Sequence, residues 1–378
     1  PVLLWGPRDE CPDENGMRLR DSQCGLFATG KVLRRFGIPF TYLKNCNLED
    51  ECFAEGIDRF LRVCNVVKAF RNTRVLQIST RPFDFWSTMC NEGELLEKFG
   101  IQLSPIPMPE LTQAMKDVKE NSPEEIKEVT DYCREKMCIK VTPEQLDNVA
   151  ALKIAMTRLG KKYGCNCGAI QCWNALQDEI GIMPCAANAL CNDEGFPIAC
   201  ETDIHGTITS VLVEAAAMGE TRSFFADWTV RHPYNDNAEL LQHCGPWPIS
   251  IAKEKPTIDT PVAFDCSGSL MAQAKDGEHI SLVRFDGDNG EYSLLLGNAK
   301  TVDGPYTKGT YMWVEVENLD RLEDKLVQGP YIHHCVGVHQ DVVPVLYEAC
   351  KYIGVTPDLY DPIEEKVKAI IRGEKVEK

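Results

Sequence analysis

The sequence predicts an α/β chain. A doubly wound, mostly parallel sheet domain over residues 1–219 is followed by an antiparallel, β-barrel-like domain over residues 220–378. Three observations carry this. Short apolar runs alternate with helical periodicity through the first half. Alternating strands around a turn signal take over after Gly219. A chain of 378 residues also exceeds one ordinary core, so two domains are expected.

The elements follow in order. "PVLLWG" reads as a buried strand running into a loop. "RLRDSQCGLFATGKVLRRFG" has apolar residues at helical spacing and stops at Gly37. "IPFTYL" is the next strand. The helix in "NLEDECFAEGIDRFLRVCNVVKAF" is expected to start on an Asn47 cap, with acidic residues in its first turn. "RVLQIST" is a strand, "EGELLEKFG" a helix ending at Gly100, and "IQLSPI" a strand. Ligands on such sheets bind at the carboxyl ends of the strands. "QISTRPFDFW" leaves a strand there, which makes Arg81 and Trp86 candidate pocket residues. Residues 111–181 read as largely helical, with starts at "SPEEIKEV" and "TPEQLDNV". "GFPIACETDIHGTITSVLVEAAAMG" is a buried strand that ends on Glu201 and enters a helix. "HISLVRFDGDNGEYSLLLGNA" is a hairpin turning at Asp288-Asn289-Gly290. "TYMWVEVENL" is a strand, "VVPVLYEACKYIG" the closing helix, and "EEKVKAIIRGEKVEK" a charged helix end.

Charge and cysteine content narrow the function. Forty Lys and Arg against 57 Asp and Glu leave a formal net charge of −17. That balance repels nucleic acid and anionic membrane surfaces. No apolar run reaches the length of a bilayer span. Eighteen cysteines spread through apolar surroundings, without a signal-like segment, read as buried thiols in a reducing cytoplasm. Cys165, Cys167 and Cys172 in "GCNCGAIQCW" have a spacing that zinc or an iron–sulfur cluster could also use, but the paired C-x2-C is missing. The opening at Pro1, inside a strand pattern, leads us to expect that the natural protein starts earlier.

The chemistry lies in polar residues set at the ends of apolar strands. Glu201 and Asp203 follow "FPIAC", Asp227 follows "RSFFA", and His334 follows "GPYI". The stretch "GPYIHHCVGVHQD" holds three of the seven histidines. Adjacent His333 and His334 cannot both face a core. Two carboxylates and one imidazole from separate strands form a typical cation site. Mixed oxygen and nitrogen ligation favours Mn²⁺ or Mg²⁺ over zinc, and the imidazole favours Mn²⁺. His205 reads either as a helix-entry residue or as a pocket wall.

These segments resemble the L-fucose isomerase and L-arabinose isomerase superfamily. "ETDIHGTITSVLVEAAAMGETRSFFADWT" is similar to the fucose isomerase segment that supplies two metal-binding carboxylates. The resemblance points to Glu201 and Asp227, 26 residues apart here, slightly more than in that pattern. "PYIHHCVG" is similar to the His-containing segment that completes the site. It implies His334 as the third ligand, with His333 the alternative. "LQHCGPWPIS" points to His243 as a further active-site residue, and "AIQCW" to Gln171 as a residue that reaches the sugar. The resemblance implies that residues 1–219 are the superfamily's central, Rossmann-like domain, residues 220–378 its C-terminal domain, and that the family's first domain is absent before Pro1. It also implies a homo-oligomer, a hexamer or another multiple of three.

The implied activity is a metal-dependent ketol isomerisation of a small-molecule sugar, with Mn²⁺ or another divalent cation. A cation on two adjacent sugar oxygens stabilises an enediolate, and a carboxylate moves the proton between C1 and C2. Glu201 and Asp227 serve in this reading as ligands and as acid and base, in an order the sequence leaves open. Gln171, His243, Arg81 and Trp86 are the expected sugar contacts. The same chemistry suits an isomerase, epimerase or lyase of an acidic or sulfonated sugar. A non-catalytic sugar-binding module of this fold is the third reading.

Overall fold

The computed structural model describes residues 1–262 and 264–376; the last two residues of the expected charged tail, Glu377 and Lys378, lie outside the described residues. The chain opens with β1 (Leu3–Leu4), α1 (Ser22–Arg35), β2 (Thr41–Tyr42), α2 (Glu51–Arg71), β3 (Arg74–Ile78), α3 (Glu92–Glu94) and β4 (Gln102–Ile106). Helix α2 forms because Val63, Val66, Val67 and Phe70 recur on one face and are buried there. Its N-cap is Asp50 rather than Asn47, because Asp50 draws the Asn47 N–H onto its own carboxylate at 2.8 Å. Helix α3 widens into a turn over Leu95–Phe99 and stops at Gly100, whose φ of 73° suits a residue without Cβ.

Next come α4 (Met108–Asn121), α5 (Pro123–Lys136), β5 (Cys138–Ile139), α6 (Pro143–Tyr163), β6 (Cys167–Ile170), α7 (Ala175–Ile180), α8 (Cys185–Asp193), β7 (Ile198–Ala199) and α9 (Ile204–Ala216). Helix α6 starts on a capping box in which Thr142 and Gln145 satisfy each other's backbone N–H. Strands β4-β3-β6-β7 form a parallel sheet. Its carboxyl edge delivers Gln171 after β6 and Glu201 after β7. The expected doubly wound sheet differs at its start. Strands β1 and β2 pair only with each other. Tyr352 tethers both, through Thr41 Oγ1 at 2.8 Å and the Val2 carbonyl at 3.1 Å. The opening run is therefore a surface ribbon, and Val2 is exposed.

The second half contains β8 (Phe224–Arg231), β9 (Ala238–His243), β10 (Thr257–Asp259), β11 (Ser269–Gln273), β12 (Ile280–Asp288), β13 (Glu291–Val302), β14 (Thr310–Glu315), α10 (Leu319–Gln328), β15 (His334–Val338), α11 (Val343–Ile353), β16 (Thr356–Asp361) and α12 (Glu364–Ile371). The expected hairpin is present: β12 and β13 turn at Asn289 and Gly290, with φ of 48° and 82°. The sheet is mixed rather than antiparallel throughout, with order β16-β13-β12-β15-β8-β9-β14-β11-β10-β5. β16 joins β13, β11 joins β14, and β5 joins β10 in parallel. An additional pairing of β13 with β14 links six strands in a ring. Helix α9 lies between the two sheets. Its Ile204, Ile208, Val211 and Leu212 share one core with Val75 and Cys167 on one side and Phe225, Val283 and Val336 on the other. This shared core fixes the Glu201 turn against the large sheet.

Candidate metal and active site

Glu201 is aimed by a strained turn. It and Thr202 both have φ of 52°, a left-handed conformation that costs a residue with Cβ about 1–2 kcal/mol. The turn is held on several sides. Thr202 N–H donates to the Ile170 carbonyl at 3.0 Å and its hydroxyl to the Thr80 carbonyl at 3.0 Å. The Thr88 hydroxyl donates to the Glu201 carbonyl at 3.3 Å. Glu201 Oε1 then accepts from Cys172 Sγ and Trp173 Nε1, both at 3.3 Å. Its Oε2 is buried and has no hydrogen-bond partner.

Asp227 and His334 come from the other sheet. They are registered directly opposite each other on β8 and β15. Side chains so paired lie on one face. His334 Nε2 stands 3.5 Å from Asp227 Oδ1, which is also buried and without a hydrogen-bond partner. His243 ends β9, next to Gln242, the residue registered against Asp227. Its Nε2 lies 3.4 Å from Glu201 Oε2 and 3.8 Å from Asp227 Oδ1. The Phe225 ring, two residues before Asp227, packs against both His243 and His334. Phe85, from the loop after β3, packs on His333, His334 and Trp173.

The fold therefore brings Glu201, Asp227, His243 and His334 together. His334 is the buried member of the H-H pair. His333 remains within ligand reach of Asp227 and His334. Burial pushes the Glu201 carboxyl up, but His243 and His334, with the Cys172 hydrogen bond, bring it down to about 2. An ionised Glu201 with one bare oxygen, facing a second bare carboxylate oxygen and imidazole nitrogens, suits a divalent cation of the oxygen- and nitrogen-preferring kind. The unpartnered oxygens are the observation that favours a cation. A buried anionic oxygen left without a donor costs several kcal/mol unless something charged meets it.

Other expected contacts lie around this centre. Gln171 follows β6, and its Oε1 accepts from the Ser79 hydroxyl at 2.8 Å. The Arg81 guanidinium donates to the carbonyls of Pro82 and Phe83 at 3.1 and 2.9 Å and lies over the Trp86 ring. Trp86 is 68% exposed and belongs to the rim rather than the centre. Cys167 and Cys172 are buried and Cys165 is half-buried; these three do not converge as one ligand set.

The sequence pointed to Asp203, His205 and His334 singly, but not to Arg284 and Asp286, which join them in a buried charge network behind the ligands. Asp203 caps α9 by accepting from Gly206 N–H at 2.9 Å. It also accepts from His334 Nδ1 at 2.8 Å and from both terminal nitrogens of Arg284. Arg284 Nε donates to Asp286 at 2.9 Å, and Asp286 meets His205 Nδ1 at 2.9 Å. Burial raises the Asp203 pKa, but Arg284 and His334 outweigh it and hold the carboxyl well below the usual range. The sequence signal for Arg284 and Asp286 was their place inside the otherwise apolar "HISLVRFDG".

Residues 1–71 match the family model described as Fucose/sulfoquinovose isomerase, N-terminal domain. That segment carries β1, α1, β2 and α2, which the sequence reading assigned to a central domain. Across 367 residues, 95% of this chain and 80% of the relative, the chain is 25% identical to a sulfoquinovose isomerase of Priestia aryabhattai. It is 24% identical over 353 residues to a sulfoquinovose isomerase of Alkalicoccus urumqiensis, covering 92% of this chain and 78% of that one. A sulfoquinovose isomerase of Clostridium sp. (strain MSTE9) is 25% identical over 256 residues, 67% of this chain and 56% of its own length.

Proposed function

We propose that this chain, a member of the fucose isomerase-like superfamily, is an aldose–ketose isomerase acting on a sulfonated hexose. The carrying observation is the pair of buried, unpartnered oxygens, Glu201 Oε2 and Asp227 Oδ1, turned onto shared imidazoles from separate elements. In this reading Glu201, Asp227 and His334 hold one divalent cation, and the mixed donor set favours Mn²⁺. When bound, the cation supplies Lewis-acid stabilisation of negative charge on two adjacent sugar oxygens. Glu201 and Asp227 offer the basic oxygens that take a proton from one sugar carbon and return it to its neighbour. Gln171 keeps its amide N–H groups for a sugar hydroxyl, since its oxygen is occupied by Ser79. Trp86 stacks at the rim.

The substrate class follows from the relatives' names together with Arg81. A sulfonate is anionic at every physiological pH, in a protein of net charge −17. Arg81 has no carboxylate partner among the described residues, and two backbone carbonyls hold its guanidinium in place. Its loop is bonded to the Glu201 turn through Thr80 and Thr202. It is the cation we assign to the sulfonate. No described helix is long and apolar enough to cross a membrane. The reading retains a division near residue 219, a cytoplasmic setting for the many thiols, and a homo-oligomer with a multiple of three subunits.

The test is to strip the protein with EDTA and restore Mn²⁺. It is then offered hexoses with and without a sulfonate on C6. Ketose should form from the sulfonated aldose, only with metal. Undiminished turnover without metal, equal turnover of neutral sugars, or a cleaved or epimerised product would each contradict the assignment.

A further inference from the structure

A second convergence of ligand atoms shares no residue with the central site. Cys46 lies in the loop between β2 and α2, and Asp50 and Cys52 lie at the start of α2. The two sulfurs and one Asp50 carboxylate oxygen all stand within 4.8 Å of one another. Around zinc, with metal–sulfur bonds of about 2.3 Å and metal–oxygen bonds of about 2.0 Å, the same atoms would stand about 3.5–3.8 Å apart. A small side-chain adjustment closes that difference. The surroundings are those of a built site. Cys46 is buried, and its sulfur accepts the Trp5 Nε1–H at 3.3 Å. The Trp5 ring is held in turn by Phe53, with centroids 4.7 Å apart. An N–H directed at a ligand sulfur is the kind of outer support that orients and tunes a metal site. Asp50 is the N-cap residue of α2, yet its side chain makes no cap bond. Its Oδ2 accepts the Asn47 N–H at 2.8 Å instead, which turns the carboxylate back over the loop that carries Cys46. Cys52 is the second residue of this 21-residue helix, where the free backbone N–H groups favour negative charge.

We propose that Cys46, Asp50 and Cys52 bind one thiophilic divalent cation of the zinc class, which fastens the opening ribbon and α2 to the turn after α12. Two thiolates and a carboxylate leave a fourth tetrahedral position for water, and the thiol protons pass to solvent as the metal–sulfur bonds form. A Cys46–Cys52 disulfide would use the sulfurs alone, whereas a cation also accounts for the turned Asp50. The soft donors separate this site from the oxygen- and nitrogen-rich centre at Glu201. The fold around it has a use for such a tie. Helix α1 buries only Leu26 and leaves Phe27, Val32 and Phe36 exposed. Strands β1 and β2 pair only with each other. A segment with so little core is commonly held by a metal or a cross-link. Three parts of the chain meet at the ligands. Trp5 follows β1, the ligands come from the β2–α2 connection, and Gly373 packs on Leu43 and Cys52 from beyond α12. The Lys44 N–H also donates to the Arg372 carbonyl at 3.1 Å.

The experiment titrates the reduced, metal-free full chain with Co²⁺. Its thiolate charge-transfer band and tetrahedral visible absorption report sulfur ligation and stay silent for a site of oxygens and imidazoles. One equivalent of sulfur-bound Co²⁺ should form, and Zn²⁺ should displace it. Cys52→Ser and Cys46→Ala should lose the band. Asp50→Asn should weaken binding at least about tenfold, since loss of even an outer partner does so. Cys11→Ser, which changes an exposed thiol outside the group, and Glu201→Gln should both keep the band. In the Glu201→Gln background Zn²⁺ should raise the thermal midpoint by several degrees, and adding Cys52→Ser should abolish that rise. Unfolding curves without metal identify any variant that fails to fold. Cys52 is only half-buried, so its serine variant carries the test if Cys46→Ala does not fold. No sulfur-bound ion in the reduced wild type, a band that survives in Cys52→Ser, or undiminished binding in Asp50→Asn would each overturn the proposal.

Discussion

Glu201 and Asp227 present one bare oxygen each to the same gap, but they are held differently. Glu201 has its other oxygen clamped by Cys172 and Trp173, on a turn with two consecutive left-handed residues. Asp227 sits in the regular ladder opposite His334. Replacing either by its amide keeps the volume and removes the charge. We expect Glu201→Gln and Asp227→Asn to fold normally and to lose at least about 10²-fold in turnover. Arg81→Met should instead raise KM for the sulfonated sugar by about 10–100-fold, the worth of a charge-assisted bond, with turnover of a neutral hexose unchanged. Competition kinetics between the two sugars reads this directly. These residues were legible in the sequence because each ends an apolar run, where a polar side chain has no core role. Arg284 was not, because it sits mid-strand and its partner Asp203 is distant in sequence. His205 left two readings open, and the structure shows a buried ring on Asp286, against Phe285 and Tyr292.

At the scale of elements, β15 carries His334 and tolerates little change. Gly337 faces Phe224 across the ladder, and a Cβ at Gly337 would overlap the Phe224 ring. Gly337→Ala should therefore cost about 1–3 kcal/mol in urea unfolding and weaken metal binding, because His334 lies on the same strand. Strand β9 carries a different liability. Glu239 is buried, and burial raises its pKa to about 7, with Glu323 adding to the rise and Arg231 opposing it. The folded state then holds this proton to higher pH than the unfolded chain, whose carboxyl titrates near 4.5. Stability falls as pH rises from about 4.5 to about 7 and levels off above, by at most about 3 kcal/mol from this group. Glu239→Gln should remove that slope in denaturation curves taken from pH 5 to 8; an unchanged slope would contradict it. The hairpin at Asn289-Gly290 was readable because those residues suit the turn it needs. The pairing of β1 with β2 was not, since a short apolar run does not specify its neighbour. The parallel additions of β5 and β16 escaped for the same reason.

The whole molecule is organised by α9, which is buried against both sheets and starts at the Glu201–Asp203 turn. A site built from two sheets depends on their staying docked, so loosening this core should lower metal affinity before it unfolds the chain. The α/β class, with a parallel sheet and a second, larger sheet, was accessible from periodicity, and the acidic balance from composition. Convergence of the site was not, because Glu201 and His334 are joined only through tertiary packing. Assembly is equally hidden in one chain. Light scattering of the protein should return a multiple of three subunits, and a monomer would contradict that.

Proton NMR of sulfoquinovose incubated in deuterated water with the Mn²⁺-loaded protein tests the isomerase most directly. A sulfonated ketose should form, carrying deuterium at the carbon that receives the proton, provided the base exchanges with solvent, and Glu201→Gln or Asp227→Asn should give no product. A fully loaded wild-type protein that forms no ketose, or either amide variant turning over at the wild-type rate, would contradict it.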